Sequence, residues 1–296
     1  MRKNGLKANE YRAGYLFILP NFIGFFVFVA VPVLAGLSIA FTNYDGFKKL
    51  DFVGLTNFLR LWTDDYFLIS LKNNFYYTFT AVPLSIMIGL FLAIILNNKR
   101  LKMRTLFRSV FYFPNITSIV AIAIVWRMLY SSENGLINVM LMGLGIDNPP
   151  VWLGSITWAM PAVIIVNIWQ SSGYFMVLLL AGLQGIPNHL YEAAFIDGAN
   201  KMQKFWRISL PMLSPTLFLV VVLGIINSFK IFGIIHIMTE GGPGRATNVL
   251  VFRVYQEAFI NYKFGYASSI AFVLFLIIFI ITYIQFKGQK EWVNYI

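Results

Sequence analysis

The sequence contains no cysteine, which excludes structural disulfides, thiolate metal sites and cysteine nucleophiles. Charge is scarce too. Asp, Glu, Lys and Arg make up 12% of the 296 residues, whereas a water-facing domain carries about 25%. Histidine occurs twice, at His189 and His236, and neither has a nearby cysteine or second histidine to complete a metal site, so no metal is expected. No G-x-x-x-x-G-K-[ST] phosphate loop is present, and the Gly-rich "EGGPGRAT" (240–247) does not fit that pattern. The chain itself is therefore not expected to hydrolyse ATP. A G-x-S-x-G nucleophile motif is also missing, which disfavours an intramembrane enzyme.

What the chain has instead is apolar length. Hydrophobic residues make up 58% of it, and six runs are long enough to cross a bilayer. They lie near Ala13–Phe41, Phe75–Leu96, Val110–Leu129, Ser155–Ala181, Thr216–Met238 and Ala267–Phe286. An all-α membrane protein with six transmembrane helices is expected. The first run follows Arg2, Lys3, Lys7 and Arg12 as a signal peptide would. It exceeds an h-region of roughly 7–15 residues and has no convincing small-residue cleavage site, so an uncleaved anchor is expected.

The net charge of +11 forms no basic domain suited to nucleic acid. It reads as a topology signal. The segments 1–12, 97–109, 182–215 and 287–296 hold fourteen of the 23 Lys and Arg residues, against seven in the longer alternate loops. Both termini and the 182–215 loop are therefore expected to be cytoplasmic. The expected organisation is a tail at 1–12, a first transmembrane helix at 13–41, an extracellular loop at 42–74, a five-helix core at 75–286 and a tail at 287–296. All twelve acidic residues fall outside the six runs. Ion-coupled carriers usually bury Asp or Glu in the membrane, so a transport role would draw its energy elsewhere.

One loop concentrates charge. "YEAAFIDGANKMQKFWRISLPMLSP" (191–215) carries Glu192, Asp197, Lys201, Lys204 and Arg207 between two apolar runs. Pro187 and Asn188 suit a helix start, with Asn188 as cap, and Gly198 suits a left-handed stop. A second piece, "KMQKFWRI", is expected to end before Leu210 and Pro211, with the next span starting after Pro215. Glu192 and Asp197 can pair with a partner's cations, Ala193 and Ala194 permit close approach, and Tyr191, Phe195 and Trp206 offer apolar anchors. A solvated interspan loop is the plainer alternative.

The spacing Glu192-Ala193-Ala194, three residues, Gly198, nine residues, Ile208, one residue, Leu210-Pro211 resembles the EAA signature of ABC importer permeases. "FVGLTNF" (52–58), "GLQGIPNHLYEAAFIDGA" (182–199), "TEGGPGRATNVLV" (239–251) and "FGYASSIAFVLFL" (264–276) are similar to the sugar-importer branch, particularly its maltose-type first permease. The resemblance implies a type I ABC importer permease fold in a bacterial cell membrane, with a cytoplasmic coupling helix. Tyr191, Glu192, Ala193, Ala194, Asp197, Gly198, Ile208, Leu210 and Pro211 are then expected to meet an ABC ATPase dimer. It further implies a second six-helix permease, an extracellular or periplasmic sugar-binding protein, and ATP and Mg held by the ATPase subunits rather than by this chain. A glycerol-phosphate or other polyol importer shares much of the pattern.

Polar residues inside the fourth and fifth runs belong in a bundle interior or a wet cavity. "NIWQSSGYFM" (167–176) offers Asn167, Trp169, Gln170, Ser171 and Tyr174, and "GIINSFKIF" (224–232) offers Asn227, Ser228 and Lys230. Such residues also serve as hydrogen-bonding glue between helices, and the residues alone leave both readings open. The resemblance implies a mid-membrane sugar site at Gln170, Ser171, Tyr174, Gly224, Ser228 and Ile231. Asn227 and Lys230 join the expected site on their chemistry. The glycines of "EGGPGRAT" are expected to form an external turn beside the path, and Arg127 to snorkel to the headgroups.

Overall fold

A computed structural model describes residues 2–47, 50–98 and 100–293. Met1 and residues 294–296 of the expected tails, with Lys48, Lys49 and Lys99 of the counted loops, lie outside the described residues. Within those residues the chain is helical, with no strand beyond a single Thr42–Phe52 bridge. It divides into two compact units, Met1–Thr63 with Val254–Phe272, and Asp64–Arg253 with Val273–Ile296.

In the first unit, α1 (Arg2–Phe25), a π-helical turn (Phe26–Ala30) and α2 (Val31–Ile39) form one rod. Helix begins at Arg2, ahead of the expected Ala13, so the 1–12 tail is helical as far as it is described. The apolar window of Tyr11–Ile39 has no buried residue, and bilayer or another chain must cover it. The π turn precedes Pro32 for a physical reason. A proline ring collides with the carbonyl four residues back, and an i→i+5 bond from the Val31 amide to Phe26 O widens the turn there. Residues 42–74 were expected as loop, yet they contain α3 (Thr56–Leu61) and the first turns of α4 (Asp65–Asn97). Asn57 ties this unit together locally, donating to the carbonyls of Ala40 at 2.9 Å and Thr42 at 2.8 Å.

The second unit contains α4, α5 (Arg104–Ile116), α6 (Ile119–Leu129), α7 (Leu136–Gly143), α8 (Ala159–Gln184), α9 (Asn188–Ile196), α10 (Lys201–Lys204), α11 (Leu210–Phe229) and α12 (Gly233–Met238). Two further helices, α13 (Leu250–Tyr255) and α14 (Phe264–Trp292), complete the chain. α4 starts before the expected Phe75 because Asp64 accepts from the Tyr66 amide at 2.8 Å; the cap rather than the hydropathy sets the boundary.

Five helices are long and apolar enough to cross a membrane, six if the bent pair α5–α6 counts as one span. That pair corrects the straight third span. The chain turns by 96° between Arg104–Ile116 and Ile119–Leu129. Pro114 has no amide to donate, Thr117 and Ser118 are extended, and the Thr117 hydroxyl bonds back to Phe113 O at 2.9 Å. The expected fifth span is also redrawn. Helix runs on from α10 through a π turn (Phe205–Ser209) into α11, passing Pro211 and Pro215 without a stop. The Leu210 amide bonds Phe205 O, the same widening that precedes Pro32.

α4, α8 and α11 share a core of Val82, Ile86, Leu96, Met176, Leu179, Leu213 and Val220. Glycines set its depth. A Cβ on Gly89 would lie 2.9 Å from Phe175 Cβ, and one on Gly173 only 1.8 Å from the Phe111 carbonyl oxygen. Lipid is as apolar as leucine, so close backbone contact at small residues supplies what hydrophobic burial cannot. Gly173→Ala must displace the α5 backbone and is expected to cost at least about 1–3 kcal/mol. The check is the melting midpoint in detergent, with Gly143→Ala as control, since a Cβ at Gly143 meets nothing within 4 Å.

Candidate functional site

A cavity of about 410 Å3 opens where two spans lose their helical form. One break is the α5–α6 bend, which contributes Asn115 and Ile119; the other is at 230–232, between α11 and α12, which contributes Ile231 and Phe232. α8 presents Asn167, Gln170, Ser171 and Tyr174, and α11 presents Gly224, Asn227 and Ser228. Both series follow the i, i+3, i+4, i+7 face of a helix, with Ile231 completing the second. Val82 and Ser85 close the wall from α4. No lining residue is charged.

Seven of the eight expected solute contacts therefore come together: Gln170, Ser171, Tyr174, Gly224, Asn227, Ser228 and Ile231. Lys230 does not join them. It caps α11 and is exposed, about 100° round the helix from the cavity face, outside the lining where it was expected. The seven also differ in how free they are. Ser228 and Thr78 of α4 share a 2.8 Å hydrogen bond, and the Ser228 hydroxyl lies 2.8 Å from Ile225 O. That is helix glue. Gly224 serves packing as well, for an added Cβ would meet Val82 Cγ1 at 2.9 Å and Phe175 Cζ at 3.3 Å. Gln170 and Ser171 hold only long bonds, 3.5 Å to Pro114 O and 3.4 Å to Asn167 Oδ1. Asn115 and Asn227 form no side-chain hydrogen bond among the described residues. Ser85 is 1% exposed and its Oγ has no partner there. Sequence reasoning missed Ser85, Asn115 and Phe232. A polar residue directly after Pro114 in an apolar run was the available signal for Asn115.

The charged 182–215 loop forms a separate feature. Pro187 occupies the cap position of α9 and no side chain caps it, so Asn188 is the first helical residue and not the expected cap. Asn200 is the true cap, in a reciprocal box with Gln203 at 2.9 and 2.8 Å that starts α10. Gly198 has φ +73°, with the Gly198 amide on Phe195 O and the Ala199 amide on Ala194 O, the paired bonds of a Schellman stop. Glu192, Ala193, Asp197 and Gly198 face outward, and Ala194 is half-buried. Phe195 and Ile196 are 73% and 83% exposed at the tip, with the Lys204 ammonium 5.0 Å over the Phe195 ring. Tyr191, expected as an anchor for a partner, turns inward instead. Its hydroxyl meets Ser209 Oγ at 2.9 Å and its ring packs with Ile208 on the α4–α8–α11 core. Leu210 and Pro211 are half-buried at the start of α11.

The Gly-rich segment packs on the first turns of α4. Glu240, Gly241, Gly244 and Arg245 all have positive φ, and Asn73 Nδ2 donates to the carbonyls of Arg245 and Asn248, each at 2.9 Å. Asn74 Oδ1 accepts from the Leu250 amide at 2.8 Å. Arg253 pairs with Asp64 at 3.3 Å, and both Arg245 and Arg253 stack on Tyr66. His236 stacks on Phe232 at 5.1 Å, and Arg127 reaches Ile237 O at 3.5 Å rather than the headgroups alone. Asn74→Ala strands the buried Leu250 amide and is expected to cost about 1–3 kcal/mol. A lowered melting midpoint checks this.

Residues 85–287 match the family described as binding-protein-dependent transport system inner membrane component. Over its whole length the chain is 39% identical to the probable ABC transporter permease protein YesP of Bacillus subtilis (strain 168), covering 96% of that protein. The trehalose/maltose transport system permease protein MalF of Thermococcus litoralis is 37% identical, with 95% of each chain covered. In fold, the chain is similar to the structure of a bacterial ABC transporter involved in import of the acidic polysaccharide alginate, at TM-score 0.87 and 23% identity. That likeness covers 99% of this chain and 100% of the other.

Proposed function

The chain belongs to the family of binding-protein-dependent transport system inner membrane components, and on that premise we propose that it forms half of the translocation path of an ATP-driven sugar importer. It is a transport subunit and not an enzyme. The observation that carries the reading is the uncharged polar cavity at the two broken spans. Sugars offer hydroxyls and weakly apolar ring faces. The amides of Asn115, Gln170 and Asn227 suit the hydroxyls, and Tyr174 and Phe232 suit a ring face. Among the relatives, MalF is named for trehalose and maltose and another, LacF of Rhizobium radiobacter, for lactose. A phosphorylated polyol finds no cation in this lining and would have to draw one from the second permease.

Coupling belongs to α9 in this reading, with the termini and α9 on the cytoplasmic side. The exposed Phe195–Ile196 tip enters a cleft of an ABC ATPase, and Glu192 and Asp197 meet its cations. Tyr191, Ile208, Leu210 and Pro211 transmit the thrust by locking α9 to the bundle. ATP and Mg bind the ATPase dimer, a second permease closes the path, and an external binding protein delivers the sugar.

The test has two arms. Pull-down of the full chain in mild detergent is expected to recover an ATPase and a second permease, and Phe195→Ala with Glu192→Ala is expected to lose the ATPase alone. In cells carrying the whole transporter, Gln170→Ala or Asn227→Ala should each lower sugar uptake about fivefold, one hydrogen bond's worth. Lys230→Ala should leave uptake unchanged. Recovery of the chain without an ATPase, or uptake indifferent to the cavity variants, would sink the reading.

A further inference from the structure

The first unit carries a short helix, α3, whose circumference divides three ways when its residues and caps are set about 100° apart. Asn57, Leu61 and Phe58 form one arc and turn to the protein. Leu61 is 2% exposed, and the Phe58 ring packs on Phe41 at 5.2 Å and Phe272 at 5.8 Å. The next arc, roughly 60° wide, holds Leu55, Leu59 and Trp62, which are 61%, 68% and 73% exposed. It carries no charge. The third arc holds Thr63, Thr56 and Arg60, all exposed, with the Arg60 guanidinium 4.7 Å over the Tyr266 ring. A helix on a soluble surface needs only two such faces. Three suit a boundary where protein, hydrocarbon and water meet.

The height of α3 is fixed as well. Asn57 holds the carbonyls of Ala40 and Thr42, at the point where the apolar rod of α1 and α2 ends. The chain belongs to a family of inner membrane components, so the end of that rod marks a membrane surface whatever covers its sides. A soluble partner would place no demand on that height. We infer that Leu55, Leu59 and Trp62 rest on the bilayer, in the layer between headgroups and acyl chains. An amphipathic helix lies in that layer with its apolar stripe towards the hydrocarbon, and tryptophan favours the headgroup level. Thr56 and Thr63 then face water, and α3 sets the depth of the first unit against the membrane.

The chain has no cysteine, so single substitutions Leu55→Cys, Thr56→Cys, Leu59→Cys and Thr63→Cys can each carry a nitroxide without background. The labelled full chain is measured in nanodiscs of phosphatidylglycerol and phosphatidylethanolamine. At positions 55 and 59, collisions with oxygen should outweigh those with a water-soluble nickel chelate, at a depth of roughly 5–10 Å below the headgroup boundary. At positions 56 and 63 the nickel chelate should prevail. The chelate prevailing on both faces, or neither agent reaching 55 and 59, overturns the contact. A second arm needs no substitution and keeps the whole transporter in its own membrane. A phospholipid with a photoactivatable acyl chain is expected to mark Leu55, Leu59 or Trp62 of the wild-type chain. Marks on the α1–α2 rod with none on α3 would mean that a partner protein covers the stripe, and overturn it too.

Discussion

Hydrocarbon cannot hydrogen-bond a peptide group, so any amide or carbonyl released from a helix within the bilayer must be met by protein or by water. This chain releases backbone in two of its apolar spans, at Thr117–Ser118 and at 230–232, and both breaks open on one cavity. The remaining architecture follows from that demand. α8 and α11 turn their amides and hydroxyls to the breaks, and α4 seals the far side. Gly89, Gly173 and Gly224 let the helices approach closely enough to keep lipid out. Polar lining, broken helices and glycine contacts are one solution to one problem.

The amino-terminal end of α4 meets the same requirement by different means. The 239–250 segment bends through four positive-φ residues, and α4 completes its hydrogen bonding, with Asn73 donating to the Arg245 and Asn248 carbonyls and Asn74 accepting from the Leu250 amide. Arg253, Asp64 and Tyr66 then fix the base of this segment. With its amino-terminal end held in this way, α4 leaves the α5–α6 and α11–α12 junctions as the places where the cavity walls can change.

Hydropathy made the apolar spans legible, and the Glu192–Gly198 spacing made the exposed helix legible with its stop. Seven of the eight expected residues line the cavity because two helical faces repeat one polar spacing. Lys230 falls outside the cavity because chemistry alone proposed it, without regard to its angle on the helix. The α5–α6 bend stayed hidden because Pro114 is one of several prolines here that sit in helices, and a window of apolar residues has no direction. Tyr191 shows a further limit. An aromatic in an amphipathic loop looks the same whether it faces a partner or its own bundle, and only the Ser209 contact separates the two.

The π turn at Phe205–Ser209 holds one residue more than α-helical winding needs. Its spare residue offsets the phase of everything on its amino side by roughly 100° relative to α11. Shortening the turn by that residue would leave Glu192, Phe195 and Gly198 chemically intact and swing their azimuth round the bundle. Between the cavity and α9, the turn acts as an angular spacer, and alignment across it is set by counting residues rather than by their kind.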